Sequence, residues 1–193
     1  MEIKRANPEE YDAIRSFYQT LIDDMQDAVY HPGWQKDIYP DPGELKDELS
    51  EGNLYCGYSD GEIICAMTVN HKFQDDAYTK AVWEVEASAE EILVIHMLGV
   101  ATKHAGKGYA KRMVRFVIEM AEELGMKAVR LDVMKGNLPA ERLYPAMGFL
   151  YRNTVTMFYP DVGWMEFELY EYVVQKNELQ ADILSCCFSF VLI

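Results

Sequence analysis

LGVATKHAGKGYAKRMVRF, residues 98–116, is the stretch that decides the fold. An apolar run, EILVIHMLGV from Glu91 to Val100, ends inside it, and Gly106-Lys107-Gly108 follows. A helix then begins, with Ala110, Met113, Val114, Val117, Met120, Ala121 and Leu124 on one face and Gly125 as its stop. The run before it reads as a central strand buried on both faces, and Gly99 within it signals a bulge or a close backbone approach. Strand, glycine turn and helix start together form an anion site, because the first helical N–H groups lack partners and the helix dipole adds positive potential. The spacing is not that of a Walker A loop, which ends Gly-Lys-Ser/Thr. It is not a Rossmann turn either, since Lys111 stands where the third glycine belongs.

Downstream, residues 127–133 read as a strand, residues 137–147 as a helix closed by Gly148, and residues 150–159 and 164–174 as an antiparallel pair. Upstream, residues 1–6 form a short strand. Asn7-Pro8-Glu9-Glu10 opens a helix carrying Tyr11, Ile14, Tyr18, Leu21, Ile22 and Met25 on one stripe. An aromatic, proline-rich loop covers residues 30–42, and Asp41 caps a short helix to Ser50. Residues 53–58 and 62–70 form a hairpin about Asp60-Gly61. The order is βααβββαβαββ, in one domain over residues 1–174. The tail, residues 175–193, ends in the uncharged ILSCCFSFVLI.

The second informative stretch is GNLPAERLYPAMGF, residues 136–149. With Ala105-Gly106-Lys107-Gly108-Tyr109-Ala110 it resembles the two signatures of the GNAT superfamily, the GCN5-related N-acetyltransferases. Asn137, Ala140, Tyr144, Gly148 and Phe149 match the second signature. Ala105 departs from the first, where the family has Arg or Gln, so a side-chain donor is missing. Lys103, His104, Lys107 or Lys111 are placed to compensate.

The resemblance implies an α/β (α+β) fold, with a mixed, mostly antiparallel seven-stranded sheet flanked by helices and splayed central parallel strands. It implies an N-acetyltransferase using acetyl-CoA, with no metal and no covalent intermediate. The backbone of Leu98, Gly99 and Val100 would meet the pantetheine arm, and an N–H near Leu98 the developing oxyanion. The amides of Gly106, Lys107, Gly108, Tyr109, Ala110 and Lys111 would hold the pyrophosphate. Asn137 would bond near the pantetheine, and Tyr144 would be the general acid. Read without the family, Tyr144 is a core tyrosine and Asn137 a helix N-cap. His96, the one histidine in a core strand, is the candidate base, with Glu91, Glu84 and Glu86 as rivals. The other reading is a non-catalytic acyl-CoA-binding module on the same fold.

For the acceptor, Trp34, Tyr39, Asn70 and Trp83, with Asp75, Asp76, Glu84 and Glu86, offer aromatic walls and carboxylates. They suit a small amine; a protein amine is the alternative. The chain of 193 residues has 18 Lys plus Arg against 32 Asp plus Glu, a formal net charge of −14. That argues against nucleic acid as the main partner, because binding a phosphate backbone needs a basic surface, whereas the donors of a helix-start anion site are main-chain groups. No apolar run suits a membrane span, and the first fifteen residues contain no signal-peptide core. The four cysteines have no zinc-ligand spacing. A reduced, cytoplasmic protein is expected, with a homodimer possible.

Overall fold

The computed structural model describes residues 1–26, 28 and 32–175. The expected role of the tail therefore lies outside the described residues, as does the side chain of Asp75. The elements follow the expected order: β1 (Glu2–Arg5), α1 (Tyr11–Met25), α2 (Pro42–Glu51), β2 (Leu54–Ser59) and β3 (Glu62–Asn70), then α3 (Asp75–Tyr78) and β4 (Ile92–Val100). After these come α4 (Tyr109–Glu123), β5 (Ala128–Met134), α5 (Leu138–Ala146), β6 (Leu150–Tyr159) and β7 (Gly163–Val173). The sequence reading lacked the short α3, because four residues carry too little periodicity to show. Local chemistry sets the ends. Asp41 accepts from the Glu44 amide at the start of α2, and Asp60 and Gly61 take φ of 53° and 82° in the β2–β3 turn.

The seven strands form one sheet in the order β1-β2-β3-β4-β5-β7-β6. Among the described strands only β4 and β5 run parallel, and they pair solely through Ile92–Val94 against Ala128–Arg130. Beyond Val94 the two strands part. On the other side of β4, Thr68 faces His96 and Ala66 faces Gly99, so two residues of β4 oppose one of β3. The extra residue is Met97, at φ 54°.

This bulge changes the alternation of β4. Leu93 and Ile95 pack toward α4 and α5, and beyond the bulge Leu98 and Val100 do so. Met97 packs with α1 and α2 instead. The consecutive residues His96 and Met97 thus share the face opposite α4. On β5, Val129, Leu131 and Val133 face α4, which leaves Arg130 and Asp132 on the face that carries His96.

Candidate active site

The gap between the parted strands is the floor of a cleft of about 670 Å³. Its walls come from the end of β4, the start of α4, α5, the loop at residues 32–39 and the β6–β7 turn.

At the α4 end, Gly106 and Gly108 sit at φ 73° and 79°, and no atom lies within 4 Å of the place a Cβ would take on either. The glycines are needed for the left-handed backbone, and the space above them is open to a ligand. Gly108 caps α4, so the unpartnered amides of its first turn face the cleft mouth. Ala105, His104, Tyr109, Ala110 and Lys111 line this end, as does Asn137 from α5. Lys107 does not; its ammonium folds onto the Lys103 carbonyl, and Lys103 pairs with Glu62. Of the residues expected to compensate for Ala105, His104 and Lys111 line the cleft.

Tyr18, from the apolar stripe of α1, donates a 2.9 Å hydrogen bond to the Met97 carbonyl. In a trans peptide the next N–H points the opposite way, so the Leu98 amide is turned from Tyr18. Gly99 sits close under α1: a Cβ there would stand 2.6 Å from Leu21 Cδ2, so that buried side chain would have to shift.

His96 lines the cleft, and its Nε2 lies 3.0 Å from both Asn70 Oδ1 and the Lys72 carbonyl. Asn70 Oδ1 also accepts the Lys72 amide at 2.9 Å, which fixes its orientation as an acceptor. Two acceptors at Nε2 assign the proton to it and leave Nδ1 with the lone pair. Burial pulls the His96 pKa below its ordinary value, opposed most by the charge of Asp132. Asp132, also lining the cleft, has its pKa raised by burial and accepts a 3.0 Å bond from the Tyr159 hydroxyl.

Tyr144 lines the α5 side. Its ring packs edge-on against Phe149 at 5.5 Å, and burial pushes its hydroxyl pKa up, so it stays protonated at neutral pH. Cys56 and Cys65 are buried thiols with pKa pushed up to about 12, which keeps them from acting as thiolates near neutrality. Among the described residues, no cluster of three or more His, Cys, Asp or Glu could hold a metal ion.

Several acceptor-side expectations need correction. Trp34 lines the cleft, beside Tyr39 at 5.9 Å between ring centroids. Trp83 and Glu84 do not. Trp83 stacks on the Arg130 guanidinium at 4.2 Å, and Glu84 pairs with Arg152 while its amide bonds the buried Glu171. That acidic segment is tied to a buried ion cluster, which holds its aromatic ring and carboxylate away from the cleft lining. Asn70 sits behind His96 rather than in the wall, and Glu91, a rival base, pairs with Lys127. The sequence reading missed Tyr18, Asp132, Tyr159 and Asp161. Only Asp132 left a trace: a carboxylate within the apolar strand AVRLDVM.

The sequence profile of the Acetyltransferase (GNAT) family matches residues 14–149. Among curated relatives, N-acetyltransferase 8B of Rattus norvegicus is 31% identical over 40% of this chain and 33% of its own length. The Homo sapiens protein of that name is 38% identical over 31% of this chain and 26% of its own. The matched region thus spans about a third or less of these relatives. Among solved structures, a GNAT-family acetyltransferase of Streptococcus agalactiae superposes with a TM-score of 0.74 at 19% identity, covering 91% of this chain and 96% of that one. A structure from Salmonella typhimurium, described as holding "its cofactor Acetyl-CoA", gives 0.63 at 14% identity, over 92% and 95%. No described helix is long and apolar enough to cross a membrane.

Proposed function

The chain belongs to the Acetyltransferase (GNAT) family, and we propose that it moves the acetyl group of acetyl-CoA to an amine by direct attack in a ternary complex. The observation that carries this reading is the parted β4–β5 pair, with a glycine-opened helix start at one end and His96, Asp132 and Tyr144 around its floor.

Acetyl-CoA supplies an activated thioester as the electrophile. The amides of residues 106–111 hold its pyrophosphate, and Asn137 with the free backbone edge from Leu98 to Val100 holds its arm. The Leu98 N–H stabilises charge on the thioester oxygen, a role typically worth about 10²–10³ in rate. Nδ1 of His96 takes one proton from the acceptor ammonium, directly or through a water, and Asp132 steadies the imidazolium. The amine nitrogen bonds to the acetyl carbon as the carbon–sulfur bond breaks. The Tyr144 hydroxyl gives its proton to the leaving sulfur, and the second proton of the amine restores it. Among the described residues, the two cysteines lie buried away from this chemistry, which supports attack without an acyl-cysteine.

The acceptor is a small amine or a protein amine. The test is CoA release, by thiol titration, from purified protein given acetyl-CoA and a panel of amines and lysine peptides. Amine-dependent release is expected. Binding of acetyl-CoA with no amine-dependent turnover would favour the non-catalytic module, a reading to which Ala105 lends support.

A further inference from the structure

The acceptor end of the cleft is closed by the β6–β7 turn, which carries Asp161. Gln35 donates to the Asp161 carbonyl, and Val162 Cγ1 occupies the place a Cβ on Gly33 would take. Turn and loop are therefore fitted to one another, and Asp161 is held in the wall rather than free to turn out to solvent.

Asp161 is 8% exposed, and its Oδ1 is buried without a hydrogen-bond partner among the described residues. It forms no ion pair among the described residues, though burial raises its pKa against a partial pull from the amides of Asp161 and Val162. A buried carboxylate oxygen without a partner is costly unless a ligand supplies one. Charge is also divided along the cleft. Lys111 and Arg142 enter its lining from α4 and α5. Among the described residues, the lining from α1, the loop and the β6–β7 turn has no Lys or Arg and includes Asp161. Asp132, from β5, lies beside this acidic end. Tyr159 links the two carboxylates: its hydroxyl bonds Asp132, and Asp161 follows two residues later. Its ring meets that of Tyr39 at 5.7 Å, which extends the aromatic wall from Trp34.

We propose that the acceptor is a dibasic amine, with one amino group presented beside His96 and Asp132 and a second cationic group docked on Asp161, an apolar spacer lying along Trp34, Tyr39 and Tyr159. A simple monoamine leaves Asp161 uncompensated. An amino acid brings a carboxylate to the acidic end, where no Lys or Arg among the described residues receives it. The inference rests on the acetyl-transfer reading for its first amino group, and on Asp161 alone for the second.

The experiment compares α,ω-diaminoalkanes of three to six carbons with the matching monoamines, in steady-state acetylation and in calorimetric binding to CoA-loaded protein. Wild type, Asp161→Asn and Asp161→Glu are measured. The expected result is a kcat/KM at least tenfold higher for the best diamine than for its monoamine, with this ratio collapsing toward one in Asp161→Asn. Asp161→Glu keeps the charge and advances it by one methylene, so the preferred diamine becomes one carbon shorter. A wild-type ratio near one, or a ratio that persists in Asp161→Asn, overturns the proposal while leaving acetyl transfer standing. Asp161-dependent binding of a diamine without turnover supports the site and overturns acetyl transfer. Absence of diamine binding and turnover overturns the proposal.

Discussion

The hydroxyl of Tyr18 is tied to the carbonyl of Met97 at 2.9 Å, which fixes the peptide that carries the Leu98 amide. Met97 itself sits at φ 54°, a strained backbone for a side chain of its size. The bond holds the bulge in that state. In Tyr18→Phe the buried carbonyl is left unpaired, at a cost of about 1–3 kcal/mol. Urea denaturation is expected to show that loss, and kcat is expected to fall more than the affinity for acetyl-CoA. A variant with wild-type kcat would remove the bulge peptide from the mechanism.

Tyr144→Phe preserves the ring that packs on Phe149 and removes only the hydroxyl. The expected result is a fall in kcat on the order of 100-fold, with acetyl-CoA affinity within a few-fold of wild type. Unchanged kcat would return Tyr144 to the role of a core tyrosine.

The pH profile follows from His96. In the proposed mechanism the neutral imidazole is the base, and its pKa lies below the ordinary 6.5 because burial disfavours the cation. The kcat/KM for the amine should therefore rise with pH through a limb lying below 6.5. Asp132→Asn removes the charge that most favours the imidazolium, so this limb moves to lower pH. A limb that stays in place would show that the two groups do not couple. In stability the sign is the same. The unfolded chain binds the proton more readily, so His96 lowers stability as pH falls below 6.5, and this penalty is absent above it.

Glu171 is fully buried between Arg130 and Arg152, with ion-pair distances of 3.0 Å to each. Removing its charge in Glu171→Gln leaves buried cations behind and should cost about 3–5 kcal/mol. Trp83→Ala exposes the Arg130 guanidinium and should lower the melting temperature. Neither change should act first on the KM of the acceptor. A KM effect at full stability in Trp83→Ala would return that residue to the acceptor wall.

Gly108→Ala meets no atom, so its cost comes from the left-handed backbone alone, about 1–2 kcal/mol. Weaker binding of acetyl-CoA is expected in calorimetry, since the strained residue opens the helix whose amides are assigned to the pyrophosphate.

The sequence by itself determined the order of the main helices and strands along the chain, the glycine turn before α4 and an irregularity of the central strand near Gly99. These rest on local facts: hydrophobic period, the backbone freedom of glycine, and residues that can cap a helix. The pairing of Asp60 with Gly61 in a tight turn is of the same kind. The acceptor end was not legible in this way. Trp83 looked like an available aromatic because nothing near it in the chain shows that Arg130, 47 positions on, lies over its ring. Tyr18 looked like one more apolar residue of α1, and its bond to Met97 spans 79 positions. Asp161 looked like an ordinary turn residue. Only the packing of the β6–β7 turn on the loop at residues 32–40 buries it. Burial, desolvation and long-range hydrogen bonds are properties of the folded surface, so the tertiary structure alone decided which carboxylates and rings face the cleft.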